Sequence, residues 1–249
     1  MDIKESWLIT RPIAHRGLFD NKSRPENSLA AFKAAIERNY PFELDVTLSK
    51  DLKVVVMHDP RLVRMTGADG YVKTTDLSDL KKLKLLNTNE TIPTLEEVLE
   101  CNKGKVPVLI EIKNSSSRNI GKLEQAVLGL IKKYPGEYAV QSFNPLSVEW
   151  FKKHAPELPR GILSCYFKLP HEREETGPLV RFVLKRMMFN KRVKPDFIGY
   201  DASVIPNRYL KRKAKHLPVL AYWVHSQADY MRIIKYIDNI IFDGFEPKI

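Results

Sequence analysis

Short apolar runs alternate with amphipathic stretches along nearly the whole chain. The runs fall near residues 11–14, 42–47, 107–112, 138–142, 160–164, 196–200, 217–223 and 239–243. These runs read as strands. Between them apolar residues recur at helical spacing. SLAAFKAAIERN begins at Ser28, whose hydroxyl suits a helix N-cap, and Thr94-Leu95-Glu96-Glu97 after Pro93 has the capping-box pattern. Further helices are predicted over 119–133, 145–154, 178–189, 206–214 and 226–236. Repeated βα units imply a parallel sheet, and eight strand-like runs predict a closed α/β barrel.

Two features break the alternation. After the eighth run only Gly244-Phe245-Glu246-Pro247-Lys248-Ile249 remains, too little for an eighth outer helix. Either another segment covers the last gap or one run is not a strand. Residues 60–92 are turn-rich, with Gly67-Ala68-Asp69-Gly70 and Asp76-Leu77-Ser78-Asp79-Leu80, and are expected to be an insertion within one βα unit after strand 2. The chain is 249 residues long, which α/β barrels fill as one domain, so a single domain over 1–249 is expected.

Composition narrows the setting. Hydrophobic residues make up 43% and charged residues 29%, which argues against wholesale disorder. No apolar stretch is long enough for a transmembrane helix, and the first residues lack the pattern of a secretory signal. Cys101 and Cys165 have no metal-type neighbours and read as reduced, largely buried thiols. A cytoplasmic protein is therefore expected. The net charge of +11 favours anionic partners, whether a phosphorylated small molecule, a membrane surface or nucleic acid.

The polar residues at strand ends choose among these. His15 and Arg16 follow strand one, Glu43 and Asp45 lie on strand two, His58 follows a short continuation of it, and Glu111 and Lys113 end strand three. In a parallel barrel all of these reach one mouth. Residues two apart on a strand share a face, so Glu43 with Asp45, and Glu111 with Lys113, point together. Three converging carboxylates repel unless a cation lies between them, and oxygen ligands favour a hard divalent ion such as Mg²⁺ or Ca²⁺, with Mn²⁺ also admissible. Arg16 and Lys113 suit the oxygens of a phosphate, and imidazoles that titrate near neutrality suit acid and base roles for His15 and His58. These are the parts of phosphodiester chemistry.

In order, HRG, PEN with SLAAFKAAIE, ELDV, VVVMHDPRLVRMTG, IPTLEEVL and LIEIK resemble the motif set of the glycerophosphodiester phosphodiesterases, densely over residues 11–113. QSFNPLSVEWFKKHAPELPRGIL also fits. The resemblance implies a TIM (β/α)8 barrel of the cytoplasmic bacterial type that cleaves a glycerophosphodiester to an alcohol and sn-glycerol 3-phosphate with a divalent metal, in lipid and glycerol metabolism. It assigns Glu43, Asp45 and Glu111 as metal ligands, His15 and His58 as catalytic acid and base, and Arg16 and Lys113 as phosphate contacts. Glu26 and Asn27 fall in the Pro-Glu-Asn element beside the site. Tyr222-Trp223-Val224-His225 departs from a Trp-Thr-Val-Asn-like segment, yet Trp223 remains available to pack on the substrate. The nucleophile is either the glycerol 2-hydroxyl, which gives a cyclic phosphate, or water.

Two other readings carry different partners. PLVRFVLKRMMFNKRVK, residues 178–194, is apolar and basic, and would let a lysophospholipase D lie on an anionic bilayer. NRYLKRKAK is the densest basic cluster, but no RNP, zinc-finger or KH pattern accompanies it, so nucleic acid is not expected.

Overall fold

A computed structural model describes residues 3–114, 119–167 and 178–248. In chain order, helix α1 (Trp7–Thr10) precedes β1 (Ile13–Ala14), α2 (Leu29–Glu37) and β2 (Phe42–Leu48). The next elements are β3 (Val54–Val56), α3 (Val63–Thr66), α4 (Leu77–Leu80), α5 (Leu95–Asn102), β4 (Val108–Ile112) and α6 (Lys122–Ile131). Then come β5 (Tyr138–Ser142), α7 (Pro145–His154), β6 (Arg160–Ser164), α8 (Pro178–Lys185), α9 (Asn190–Val193) and β7 (Phe197–Asp201). The described chain closes with α10 (Arg208–Lys213), β8 (Val219–Val224), α11 (Gln227–Ile233) and β9 (Asn239–Phe242).

Eight of these strands pair in parallel and close on themselves, because β1 joins both β2 and β9. The fold is a TIM-type barrel. Side chains alternate across its wall: Phe42, Leu44, Val108, Ile110, Ile198 and Tyr200 face the outer helices, and their neighbours face inward. The lower interior is apolar, filled by Ile13, Leu109, Ala139, Leu163, Phe197, Leu220 and Ile241. Gly161 makes room for the Phe197 ring, since a Cβ there would lie 2.1 Å from Phe197 Cε2.

Three expectations need correction. The Val54–Val56 run does not continue strand two: it returns antiparallel to it, with Val46 opposite Val56. The reversal is built by Ser49, whose Oγ accepts from Lys53 N at 2.9 Å and donates to Asp51, with Leu52 at φ 62°. Nor does strand one begin near residue 11, for α1 comes first and its Trp7 and Leu8 plug the barrel floor. The helix expected over 178–189 ends at Lys185, and Met187 turns the chain at φ 51° before α9.

Residues 60–92 fold over β3 around their own cluster, with Val55, Met57, Leu62, Met65, Val72, Leu80, Leu85 and Ile92 buried together. Among the described residues no helix follows β9. Instead the outward Phe242 ring packs edge-on against Tyr40 and Phe245, and Arg38 at the end of α2 pairs with Glu246 of the tail. A cavity of about 430 Å³ remains beside this tail, lined by Gly17, Phe19, Arg24, Arg38 and Phe245. No described helix is long and apolar enough to cross a membrane.

Candidate active site

Above the apolar floor, inward positions at the strand ends turn polar. The register aligns Asp45 with Glu111 and Glu43 with Leu109, so the three carboxylates converge from two adjacent strands. Glu43, Asp45 and Glu111 each offer an oxygen within 4.8 Å of the others, and all three are buried. Burial, then the charges of Asp45 and Glu111, push the Glu43 carboxyl well above its ordinary range, and burial also raises Glu111. Burial acts on Asp45 in the same direction, but Lys113 and Arg16, with a hydrogen bond from Asn27, outweigh it and hold Asp45 ionised. Asp45 Oδ1 accepts no hydrogen bond. Hard oxygens this close, one without a hydrogen bond and two on carboxyls whose ionisation burial opposes, fit a divalent cation.

The chain's own cations flank the triad. Lys113 Nζ lies 3.0 Å from Glu111 Oε1 and 3.3 Å from Asp45 Oδ1. Arg16 Nε makes a charge contact of 3.2 Å with Asp45 Oδ2, without the alignment of a hydrogen bond, while its Nη1 donates to Glu26 Oε1 at 2.6 Å. The turn after β1 makes this possible. Arg16 takes φ 52°, its backbone N–H donates to Glu43 Oε2 at 3.1 Å, and Gly17 follows at φ 80°. A Cβ on Gly17 would lie 2.8 Å from the Ala31 backbone, so α2 can approach only a glycine.

The Pro-Glu-Asn element supports this layer. Asn27 Nδ2 donates to Asp45 Oδ2 at 2.9 Å, and Asp45 N donates back to Asn27 Oδ1 at 3.3 Å. Glu26 accepts from Arg16 and from both terminal nitrogens of Arg64. Burial disfavours its charge, but Arg64 and Arg16 prevail and take it from 4.5 to about 2.

Each histidine rests on a carboxylate. His58 Nδ1 is 2.6 Å from Asp59 Oδ1, and Arg64 holds the other Asp59 oxygen. Burial, then Lys113, lowers His58 to about 4. His15 Nδ1 is 2.7 Å from Asp243 Oδ2, and burial followed by Arg16 lowers it as well, so both imidazoles stand neutral. Trp223 Nε1–H donates to His15 Nε2 at 3.2 Å.

The structure therefore brings every residue singled out from the sequence to one mouth: His15, Arg16, Glu26, Asn27, Glu43, Asp45, His58, Glu111, Lys113 and Trp223. Sequence reasoning missed Asp243 and Arg64. For Asp243 a signal existed, because β9 alternates with Ile241 inward and Phe242 outward, which turns the next residue inward. Arg64 lies in the irregular insertion, where no periodicity points to it.

Known proteins resemble this chain in sequence and in fold. Residues 15–245 match the model of the glycerophosphoryl diester phosphodiesterase family. A glycerophosphodiester phosphodiesterase of Caldanaerobacter subterraneus subsp. tengcongensis is 42% identical over 96% of both chains. Among solved structures, an Oleispira antarctica phosphodiesterase in complex with the product sn-glycerol-3-phosphate superposes with a TM-score of 0.77 at 23% identity, covering 94% of this chain and 93% of that one. A Thermotoga maritima glycerophosphodiester phosphodiesterase gives 0.68 at 27% identity, covering 92% of each.

Proposed function

This chain belongs to the glycerophosphoryl diester phosphodiesterase family and is a phosphoric diester hydrolase, and we propose that it hydrolyses glycerophosphodiesters to an alcohol and sn-glycerol 3-phosphate in a divalent-metal-dependent reaction. The observation that carries the reading is the meeting of Glu43, Asp45 and Glu111 with two neutral, carboxylate-backed histidines, the buried Arg16 and the half-buried Lys113 at one barrel mouth. Glu43, Asp45 and Glu111 would hold the ion, Mg²⁺, Ca²⁺ or Mn²⁺, which when bound supplies Lewis-acid stabilisation of phosphate charge.

The chain's residues do the rest. Arg16 and Lys113 bind and orient the non-bridging oxygens, whose charge grows as the bond to the leaving oxygen breaks. One histidine takes the proton of the attacking hydroxyl and the other returns a proton to the departing alcohol, which balances the exchange. Neutral imidazoles suit proton uptake directly, and the incoming phosphate's negative charge favours protonation of the partner. Glu26 and Asn27 position Arg16 and Asp45 rather than touch substrate.

The test is release of glycerol 3-phosphate from a panel of choline, ethanolamine, inositol and glycerol diesters with each metal varied. Turnover that is lost with chelator and restored by a divalent ion is expected; turnover unaffected by chelation would refute the metal-dependent reading. A 2-blocked analogue separates the two nucleophiles, since only direct attack by water hydrolyses it.

A further inference from the structure

The geometry points to Asp243 as the positioning residue of His15, locking the imidazole in the Nδ1–H tautomer with Nε2 turned to the mouth. This rests on the acid–base role proposed for His15 above. The strand register makes the pair: Ile13 lies beside Ile241 and Ala14 beside Phe242, so the next residues of the two strands, His15 and Asp243, leave the barrel wall side by side and inward. His15 N–H also donates to Phe242 O at 2.9 Å, which fixes its backbone to the same strand end.

The tautomer follows from the chemistry of the two neighbours. An ionised carboxylate only accepts, so His15 Nδ1, at 2.7 Å from Asp243 Oδ2, must carry the proton. An indole N–H only donates, so His15 Nε2, at 3.2 Å from Trp223 Nε1, must be the acceptor. The two contacts are independent and demand the same state. Burial leaves the ring little alternative, with His15 7% exposed and the Asp243 side chain 12%.

Two further features hold the arrangement. His225 Nδ1 lies 2.5 Å from Asp243 Oδ1, so the carboxylate is gripped at both oxygens and cannot rotate away from His15. Trp223 reaches His15 through a bulge: the pairing of β8 with β9 shifts between Tyr222 and Val224, leaving Trp223 as the extra residue at φ 54°. Bulges re-aim side chains in this manner beside functional sites. The indole N–H thus marks the place that a hydroxyl proton takes when substrate displaces it. His15 Nε2 is the atom that exchanges the proton, and Asp243 decides that it is Nε2 rather than Nδ1.

The experiment joins imidazole ¹⁵N spectroscopy of the full chain with kinetics on glycerophosphocholine for wild type, Asp243→Ala and Asp243→Asn. Wild-type His15, identified by its loss in His15→Ala, should show the Nδ1–H pattern. Asp243→Ala should lose that pattern, and kcat should fall about 100-fold while KM stays within about threefold. Asp243→Asn retains side-chain volume and an oxygen acceptor, so it should lie between the two, and it is read by the same measures if Asp243→Ala does not fold. Persistence of the Nδ1–H pattern without Asp243, or unchanged kcat after it is lost, would overturn the positioning role. Full activity of His15→Ala would instead overturn the acid–base role of His15, and would leave the tautomer result standing.

Discussion

Substitution of Glu26 by Gln removes one charge from the bridge between Arg16 and Arg64, and its effect can be worked from the structure. Glu26 accepts from Arg16 at 2.6 Å and from Arg64 at 2.7 and 2.9 Å, with its side chain 6% exposed. These partners take its carboxyl from 4.5 to about 2 against the opposing effect of burial. The difference corresponds to about 3 kcal/mol of stability at neutral pH. Gln keeps an acceptor oxygen but not the charge, so a loss of about 2–3 kcal/mol is expected, or a Tm lower by about 5–10 °C for a chain of this size. The sign is fixed by linkage. A depressed carboxyl contributes stability that is complete above 4.5 and fades as pH falls towards 2. By pH 3.5 about 1.4 kcal/mol of the contribution is gone, and the gap between wild type and variant should narrow by that amount. Urea unfolding of both proteins from pH 8 to pH 3.5 measures it. A gap below about 0.5 kcal/mol at pH 8, or one that stays constant down to pH 3.5, would refute the reasoning.

Other expectations concern the site and the floor beneath it. His15→Ala and His58→Ala should each reduce turnover at least about 100-fold with little change in thermal unfolding, and a variant near wild-type activity would remove that histidine from the chemistry. Excess chelator should abolish turnover and weaken glycerol 3-phosphate binding in calorimetry, while a divalent ion at about 100 times its Kd should add about 2.7 kcal/mol of stability, which Glu43→Gln should largely erase. Gly161→Ala places a Cβ 2.1 Å from Phe197 Cε2 in the barrel interior. It should cost about 1–3 kcal/mol in denaturant unfolding, and wild-type stability would show that the ring has room to move.

The carboxylate triad was legible because period-two alternation is a local property. Glu43 and Asp45 share a face whatever the rest of the chain does, and the parallel register then sets Asp45 beside Glu111. Ring closure was legible from the count of eight apolar runs alternating with helix-like stretches, the number a TIM-type barrel uses. The reversal before Val54 was not, because an apolar triplet reads alike whether it extends a strand or doubles back along it. What decides is Leu52 in a left-handed conformation within a turn tied by Ser49 and Asp51, and no composition signal marks a leucine for that. Trp223 was singled out by its place in a motif, not by strand periodicity. Simple alternation turns it outward from Tyr222, and only the bulge brings its N–H onto His15. Asp243 and His15 are 228 residues apart, so their meeting depends on closure of the barrel itself.

The charges at the mouth form two layers with different consequences. In the outer layer, Arg64 and Arg16 neutralise Glu26 and Asp59 and make it a fixed frame. In the inner layer, Lys113 divides itself between Asp45 and Glu111, and Arg16 between Asp45 and Glu26, while Glu43 is driven towards its neutral form. The two cations proposed to meet the phosphate are therefore engaged with the carboxylates proposed to hold the ion. A divalent ion held by Asp45 and Glu111 would draw their oxygens away from Lys113 and weaken the Arg16 contact with Asp45, while the Arg16 bond to Glu26 stays. A surface carrying +11 draws anions towards the barrel, but it does not by itself free these two side chains. Metal and phosphate should accordingly bind with positive coupling, each removing part of the electrostatic penalty met by the other.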